Sequence, residues 1–394
     1  MHDALIIGAG PAGATAARML AQAGWSVALV EKSAFPRRKV CGEFISATSL
    51  PLLYDRDVRE RFLAEAGPEV RRVGLFAQDA VLSAAMPAAG KSVSGWGRAL
   101  GRDRLDQLLA EAAAKAGADL RQPCKVVGLK RNGDGFVCSM DADGTPSELQ
   151  AKILIAANGS WERAPWTAEH PRPTRKPSEL LAFKARFDRA ALSSELMPLL
   201  VFPGGYGGMV HTDGGTVSLS CCIRRDALEL CRQKYHRPHA GEAVLAHIMT
   251  TSEGVKRALG QASLDGTWLS AGPIRPGIRP RYADGIFFIG NSAGEAHPII
   301  AEGISMAMQS AWLLSKRLIT GQGHKGAPKA VAELGRLYAR DWHMAFATRI
   351  HAAALFAHLA MWPGAGRVLP IIKRVPEILT WGAWLSGKTT QLVP

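Results

Sequence analysis

A glycine-rich turn near the start of the chain constrains the fold more than any other feature. Residues 4–7 are apolar, GAGPAG follows at residues 8–13, and a second apolar run, 27–30, ends at Glu31. A strand, a GxGxxG turn, an alanine-rich helix and an acidic residue after the next strand are typical of a βαβ unit that binds a dinucleotide. The sequence therefore predicts such a unit at its beginning.

The three glycines of this turn have different predicted roles. Gly8 permits the tight turn from strand to helix, Gly10 lets the backbone approach a pyrophosphate, and Gly13 allows the helix and the strand to pack closely. The phosphates then lie at the positive end of the helix dipole. Glu31 is expected to accept hydrogen bonds from a ribose, and its charge disfavours a 2′-phosphate. The ligand is therefore expected to be FAD or NAD rather than NADP.

Length and composition narrow the class of protein further. At 394 residues the chain can form two interleaved domains. Its first ten residues, MHDALIIGAG, lack the basic leader of a signal peptide, so a cytoplasmic protein is expected. The formal net charge is +14, but the cations are scattered and no nucleic-acid partner is expected. Binding of a phosphate-bearing cofactor and of an anionic membrane surface would explain the excess of positive charge. A basic surface that keeps the protein soluble is the alternative explanation.

The cysteines show no spacing typical of a zinc site or of a disulfide framework. Five of them are interpreted as small core residues, and Cys41 is considered with the site below. No metal is expected. The six positions are Cys41, Cys124, Cys138, Cys221, Cys222 and Cys231.

The order of periodic segments predicts an α/β protein, with a Rossmann-like nucleotide-binding domain interleaved with a β-sheet substrate domain and followed by C-terminal helices. Strand-like runs at 125–130, 135–140 and 149–156 predict an antiparallel meander. The predicted nucleotide-binding domain comprises 1–165 and 273–325. The substrate domain comprises 166–272 with part of 67–97, and the C-terminal helical region comprises 326–394.

Four motifs in a fixed order resemble one known superfamily. They are GAGPAG with Glu31, the loop FPRRKVCGE at 35–43, Arg102 three residues before Leu105 and four before Asp106, and FIGNSAGEAHPIIAEGI at 288–304. Over residues 1–320 the chain resembles the FAD-dependent monooxygenases of the para-hydroxybenzoate hydroxylase type and their relatives, the geranylgeranyl reductases and flavin halogenases. The resemblance implies noncovalent FAD.

The resemblance, together with the turn, implies a set of site residues. Catalytic roles are expected for His297 and Cys41, although each also has a structural interpretation. Substrate contacts are expected for Tyr206 and His211, which could instead be ordinary sheet residues. The cofactor-binding residues are predicted to be Gly8, Gly10, Pro11, Ala12, Gly13, Glu31, Lys32, Cys41, Arg102, Val126, Gly290, Asn291, Pro298, Gly303 and Ile304.

The segment at 288–304 is expected to wrap the ribityl chain and to aim the next helix at the flavin. Reduced flavin carries negative charge near N1, which free amides at Gly303 and Ile304 would stabilise. Glu302, just before the helix, is interpreted as a possible cap. Pro298 would lie against the ring.

Three departures from the superfamily pattern stand out. Asn291 replaces the usual Asp of this loop but keeps a hydrogen-bond acceptor. Asn158 in AANGSW replaces another Asp, which weakens the case for the hydroxylase manner of docking NADPH. YGGMVH at 206–211 keeps only the Tyr of the reductase motif Y-x-W-x-F-P, and the halogenase motif W-x-W-x-I-P is absent.

No second strand–GxGxxG–helix unit occurs, so NADPH or NADH is expected to visit transiently as electron donor, unless a separate reductase supplies the electrons. The resemblance implies a monooxygenase that hydroxylates a hydrophobic aromatic or polyketide-like molecule through a flavin C4a-hydroperoxide. The alternative is a flavin-dependent reductase of isoprenoid or lipid C=C bonds, which FPRRKVCGE and the apolar tail favour. A non-catalytic flavin-binding partner is less expected, since the motifs on both sides of the flavin are intact.

The region 352–385 is rich in Leu, Ala, Phe and Trp. Its longest apolar stretch, 352–362, is too short to span a bilayer. Tryptophans flanked by cations suit a peripheral membrane surface or a lipid substrate, and ordinary packing over the core is the alternative. These residues are Trp362, Trp381, Trp384, Arg367, Lys373 and Arg374.

Overall fold

The computed structural model describes residues 1–53, 55–89, 95–133, 135–160, 175–322, 327–390 and 392. The domain boundaries predicted at 165/166 and 325/326 lie outside these residues. The α-helices are α1 (Pro11–Gln22), α2 (Arg56–Glu65), α3 (Arg102–Lys115), α4 (Arg225–Tyr235), α5 (Ala240–Thr251), α6 (Glu253–Leu259), α7 (Gly303–Thr320), α8 (Pro328–Met361), α9 (Leu369–Arg374) and α10 (Glu377–Ala383).

The strands form two large sheets and two short pairs. In chain order they are β1 (His2–Ile7), β2 (Val27–Val30), β3 (Phe44–Ile45), β4 (Arg72–Ala77), β5 (Ala80–Ala85), β6 (Arg98–Ala99), β7 (Asp119–Arg121), β8 (Lys125–Asn132), β9 (Gly135–Ala142), β10 (Thr145–Ala156), β11 (Leu180–Asp188), β12 (Leu196–Phe202), β13 (Gly205–His211), β14 (Val217–Arg224), β15 (Ser263–Ile274), β16 (Gly277–Ile278), β17 (Tyr282–Ala283), β18 (Ile286–Phe288) and β19 (Gly294–Glu295).

The first sheet has the order β17-β18-β10-β1-β2-β7, and its central pairs β18-β10, β10-β1, β1-β2 and β2-β7 are parallel. Its central strands are buried on both faces, which explains why they read as continuous apolar runs. Helices α1, α3 and α7 pack together. The predicted meander is present, since β8, β9 and β10 pair antiparallel. This sheet places the glycine turn at the carboxyl end of β1.

The second sheet has the order β15-β11-β14-β13-β12-β4-β5. Strand alternation divides β11 between two environments. Phe183, Ala185 and Phe187 face a core shared with α4, α5 and α6, whereas Lys184 and Arg186 project from the opposite face. Because β4 and β5 precede most of the first domain's strands in the chain yet belong to this sheet, the two layers are interleaved. The predicted fold class is thereby confirmed.

The C-terminal helices cover the second sheet and the end of α7. Helix α8 contacts α7, β12 and β13, while α9 and α10 lie on β4 and β5. The apolar stretch 352–362 is the end of the 34-residue helix α8 rather than an isolated short segment. Within the described residues, α8 is the one helix long and apolar enough to cross a membrane by length and composition, and 33% of its most apolar window is buried.

Candidate active site

One cavity of about 1320 Å³ collects nearly all the predicted site residues from distant parts of the chain. It runs from the glycine turn, past the start of α7, to β12, β13 and the C-terminal helices. Of the predicted residues only Gly13 and His211 do not line it. Those that do are Gly8, Gly10, Pro11, Ala12, Glu31, Lys32, Cys41, Arg102, Val126, Tyr206, Gly290, Asn291, His297, Pro298, Gly303 and Ile304.

The glycine turn has the geometry of an anion cradle. A Cβ on Gly13 would lie 1.8 Å from the Gly8 carbonyl oxygen, and one on Gly8, where φ is +101°, would lie 2.6 Å from the Ala157 oxygen. Both glycines are therefore required by the fold itself. A Cβ on Gly10 would meet only an Arg102 nitrogen, 3.6 Å away, because this position faces the cavity. Helix α1 has no side-chain cap on its first amides, so they are available to an anion.

Glu31 lies buried at the end of β2 beside this turn. Its Oε2 accepts hydrogen bonds from the Ala9 amide at 3.0 Å and from Arg37 at 3.1 Å, and its Oε1 accepts one from the Ser33 amide at 3.2 Å. A carboxylate offers about four acceptor positions, so a position remains for a ribose hydroxyl. Within the described part of the chain, Arg37 Nε is buried without a hydrogen-bond partner. An unsatisfied buried donor beside the ribose position is consistent with a bound polar group.

Cations outnumber anions where the pyrophosphate of a dinucleotide would lie. Arg37, Lys39 and Arg102 surround this part of the cavity, and the carboxylates among them are Glu31 and Asp106. Burial, with Arg37 and Arg102 nearby, lowers the pKa of Lys39 to about 8. A doubly charged pyrophosphate would relieve this repulsion. The residue-level prediction missed Arg37 and Lys39, although both lie in the FPRRKVCGE motif.

The beginning of α7 opens onto the same cavity. A Cβ on Gly303 would meet nothing within 4 Å, and the side chain of Ile304 is buried in the core. The Met306 amide donates to the Glu302 carbonyl at 2.8 Å, so the amides of Gly303 and Ile304 precede the helical hydrogen-bond pattern. Such free amides suit the negative charge of a reduced isoalloxazine ring.

Glu302 does not cap α7 with its side chain, contrary to the sequence-based interpretation. Its carboxylate is buried and accepts a hydrogen bond from Ser46 at 3.1 Å and another from Lys388 Nζ at 2.9 Å. The ammonium group of Lys388 also donates to the Ile300 carbonyl at 2.6 Å. Lys388 also lines the cavity. It lies 86 residues beyond Glu302 in the chain, and no sequence motif predicts its role in the site.

Asn291 belongs to a short turn after β18 that borders the cavity. Its Nδ2 donates to Ser160 Oγ at 2.9 Å and, at 3.4 Å, to Glu295. Arg279 holds the turn by donating to the Asn291 carbonyl at 2.6 Å. Burial raises the pKa of Glu295, although Arg279 opposes this effect. The amide at position 291 thus avoids placing a second carboxylate beside Glu295, which gives a physical reason for the departure from Asp.

Tyr206 and His297 form a polar pair in an otherwise apolar part of the cavity. The Tyr206 hydroxyl lies 3.1 Å from His297 Nδ1. Burial lowers the pKa of His297 to about 4 and raises that of Tyr206 well above its usual value. At neutral pH the pair is therefore a neutral imidazole beside a protonated phenol. In this state the pair carries no net charge, and it can form a hydrogen bond to a polar group of a bound molecule.

Cys41 lies half-buried at the junction of the two layers. The Glu43 amide donates to its sulfur at 3.4 Å, and Ser220 of β14 donates to its carbonyl at 2.8 Å. Two residues further on, the buried carboxylate of Glu43 pairs with Lys184 and Arg186 of β11. Burial opposes charge on Glu43, but these cations outweigh it and hold its pKa below the usual range. This ion network anchors the loop that carries Cys41 against the second sheet.

The structure corrects the expectation for His211. Strand alternation turns Tyr206 and Val210 of β13 toward the cavity side, and it turns His211 the other way. The His211 ring forms a hydrogen bond with the Leu192 carbonyl at 2.9 Å, and His211 does not line the cavity. His211 is therefore a sheet residue, the alternative that the sequence left open.

The observations at the glycine turn, Arg37 and Lys39 all fit a dinucleotide with a pyrophosphate, and those at α7 fit a flavin ring. Residues 1–330 match the family model described as FAD binding domain. The chain therefore belongs to this family of FAD-binding oxidoreductases.

Among curated proteins, the chain is 26% identical to digeranylgeranylglycerophospholipid reductase 1 of Methanothermobacter thermautotrophicus, over 79% of this chain and 75% of that protein. It is 30% identical to rifampicin monooxygenase of Rhodococcus hoagii, over 40% of this chain and 32% of that protein. It is also 25% identical to conditioned medium factor receptor 1 of Dictyostelium discoideum, where the match spans 81% of this chain but only 63% of that protein.

Solved structures resemble the whole chain. The flavin-dependent brominase Bmp2 superposes with a TM-score of 0.77 at 19% identity, covering 98% of this chain and 93% of the other. A geranylgeranyl bacteriochlorophyll reductase-like protein of Thermoplasma acidophilum superposes with a TM-score of 0.65 at 17% identity, covering 98% and 99%. At these identities the likeness concerns the fold.

Proposed function

We propose that the protein is an FAD-dependent monooxygenase that hydroxylates a hydrophobic aromatic or polyketide-like molecule. The observation that carries this proposal is the apolar cavity that continues from the start of α7 to the C-terminal helices. Its volume exceeds the roughly 300–1,000 Å³ typical of a single small-molecule site, which leaves space for a substrate beside a dinucleotide. The apolar wall includes Leu75, Met197, Leu199, Val201, Phe356, Leu359, Met361, Leu369, Ile372 and Leu379.

The FAD site is proposed to occupy the part of this cavity between the glycine turn and the start of α7. The turn at Gly10, with Arg37, Lys39 and Arg102, would hold the pyrophosphate, and Glu31 the ribose. The amides at Gly303 and Ile304 would face the flavin ring. Bound there, FAD would supply the reactivity toward O₂ that hydroxylation requires.

The chain's own contribution to the reaction is to orient the substrate, exclude water and manage one proton. A phenolic substrate with its ring between α7 and β13 would place its hydroxyl near the Tyr206–His297 pair. His297 is neutral at physiological pH and would take the hydroxyl proton as the ring gains oxygen, because that proton then becomes strongly acidic, while Tyr206 Oη holds the imidazole through Nδ1. Partial transfer of this proton to His297 makes the ring more nucleophilic as it reacts. The apolar wall would keep water from the reacting atoms.

Reducing equivalents are proposed to come from NADPH or NADH binding transiently, or from a separate reductase. Within the described residues, the β1–α1 turn is the one strand–GxGxxG–helix unit, and it is assigned to FAD. The donor can be identified by mixing the FAD-loaded protein anaerobically with NADH, NADPH or a flavin reductase and recording the loss of flavin absorbance.

The second candidate is a reductase of isoprenoid or lipid C=C bonds. It is favoured by the reductase relative, which matches most of this chain, and by the length of the apolar wall. The two reactions differ in their products, because one adds an oxygen atom from O₂ and the other adds two hydrogens.

The deciding experiment incubates the FAD-loaded protein and its electron donor under ¹⁸O₂ with a long-chain alkylphenol or, separately, with a geranylgeranyl lipid. Mass spectrometry is expected to show one labelled oxygen atom in the alkylphenol product. His297→Gln should slow this reaction by roughly 10²-fold or more, as expected for loss of a general base. His343→Gln, an exposed substitution on α8, is the matched control and should be neutral. Hydrogen uptake by the lipid, without oxygen transfer to the phenol, would select the reductase.

A further inference from the structure

An apolar surface on the C-terminal helices remains uncovered by the described part of the chain. Its members are large side chains with 39% to 61% of their surface exposed. We define the C-terminal apolar surface as Val368, Ile371, Val375, Trp381, Trp384 and Leu385. Contiguous exposed apolar groups of this kind mark interaction sites more often than isolated ones do.

The spacing of these exposed apolar residues places neighbouring members on the same side of a helix. Val368, Ile371 and Val375 are separated by three and four residues along α9 and its flanks, and Trp384 and Leu385, just after α10, lie three and four residues beyond Trp381. Residues of such spacing share one helix face. Other apolar side chains of these helices face the protein itself, since buried Leu369 and partly buried Ile372 and Leu379 pack against Leu75, Ala77 and Ala80 of β4 and β5. The inward side chains therefore pack on β4 and β5, whereas the C-terminal apolar surface packs on no part of the described chain.

Cations outnumber acidic residues in the C-terminal part of the sequence that carries this surface. From residue 342 to the end, the chain contains five Lys and Arg residues but a single acidic residue, Glu377. Two of these cations, Arg349 and Lys388, are buried, and Lys373 pairs with Asp79. Arg367 and Arg374 are exposed beside the apolar residues. Exposed Trp with flanking cations is the pattern of a segment that lies at the interface of an anionic bilayer.

The same region forms the mouth of the large cavity. Leu359, Trp362 and Val368 line the cavity, yet each exposes more than 40% of its surface. An apolar molecule held in a bilayer could thus pass from the lipid phase to the apolar wall without crossing water.

We propose that the C-terminal apolar surface docks peripherally on an anionic membrane and presents the cavity mouth to it. A second copy of the chain is a poorer occupant. A symmetric contact would place the same patch on both subunits and bring Arg367 and Arg374 against their own copies. Entry of substrate from the bilayer rests additionally on the proposed function, whereas docking can be measured without turnover.

The test is flotation of the FAD-loaded, full-length protein with vesicles of phosphatidylcholine, with or without phosphatidylglycerol. We expect binding to the anionic vesicles that weakens as salt is added. The triple variant Ile371→Ser, Trp381→Ser, Trp384→Ser should bind at least about tenfold more weakly. Arg367→Gln with Arg374→Gln should weaken binding to the anionic vesicles by about tenfold and leave neutral vesicles nearly unaffected.

Two control variants distinguish binding through the C-terminal apolar surface from nonspecific adsorption of the protein to vesicles. Leu264→Ser removes an exposed apolar side chain on β15, and Arg232→Gln removes an exposed cation on α4. Both should bind vesicles like the wild type. Wild-type protein that does not float, or controls that lose as much binding as the test variants, would overturn the proposal. So would a dimer in light scattering that the triple variant converts to monomer, because a second copy would then be the occupant. Failure of flotation would leave the product analysis of the proposed function unaffected.

Discussion

At the scale of single residues, Lys39 reports on the dinucleotide site most directly. Its ammonium group is largely buried between Arg37 and Arg102, and its pKa is lowered from 10.5 to about 8. A lowered folded-state pKa means that the unfolded chain binds more protons between pH 8 and 10.5. Lys39 therefore makes the flavin-free protein more stable as pH rises through that window. A bound pyrophosphate would reverse the preference, since it favours the charged form.

This reversal gives the first prediction. FAD affinity should be constant below about pH 8 and should fall above it by up to roughly tenfold per pH unit, because the pyrophosphate binds protonated Lys39 more tightly. Isothermal titration of the flavin-free protein between pH 7 and pH 10 measures this, and Lys39→Gln should remove the slope. Lys256→Gln, an exposed substitution on α6 away from the cavity, is the control and should keep the slope. A wild-type profile without a slope would mean that Lys39 does not face the pyrophosphate.

At the scale of secondary-structure elements, the end of the chain is tied to the start of α7. Lys388 follows α10 and ends in a buried ion pair with Glu302, immediately before the amides assigned to the flavin. Breaking a buried pair from one side leaves an uncompensated charge, which costs more than the pair itself contributes.

The second prediction concerns this pair. Lys388→Met should lower the free energy of unfolding by about 3–5 kcal/mol, whereas adding Glu302→Gln to Lys388→Met should recover part of the loss. Urea unfolding of the wild type, the two single variants and the double variant gives a double-mutant cycle, which measures the interaction free energy of the two side chains. Additive losses in the double variant would show that the two side chains do not interact.

At the scale of the whole molecule, a buried ion network joins the two layers. Glu43 follows the site loop of the first layer, while Lys184 and Arg186 project from β11 of the second sheet. Arg186 also pairs with Asp103 of α3 and with Asp213 beyond β13. The cavity lies between these layers, so the network helps to set its width.

The third prediction follows from the low pKa of Glu43. A carboxyl group whose folded pKa is depressed contributes stability above its unfolded value near 4.5, and this contribution is lost as pH falls through the folded pKa. Glu43→Gln should lower stability by about 3–5 kcal/mol at pH 7, because Lys184 loses its carboxylate partner. The difference in stability between Glu43→Gln and the wild type should become smaller as the pH falls. Thermal unfolding across pH 3–7 provides the measurement, and a difference independent of pH would contradict the predicted role.

Local patterns were sufficient to predict the parts of the molecule that depend on nearby residues. The βαβ unit, the meander and α7 could be recognised because each follows from apolar periodicity and turn residues within a short window. The individual roles of Gly8, Gly10 and Gly13 also follow from the local geometry of one turn. The two interpretations of His211 could not be separated from the sequence, because the orientation of β13 within its sheet decides which face meets the cavity.

What the sequence by itself determined is therefore the dinucleotide cradle, the α/β fold class and the family resemblance, since these depend on motifs whose chemistry is local. Only the tertiary structure decided that Lys388 meets Glu302, that Lys39 lies among other cations and that Tyr206 pairs with His297. It also decided that the C-terminal helices leave one apolar face open at the cavity mouth. These contacts join residues far apart in the chain, and their strength comes from burial, which no local pattern records.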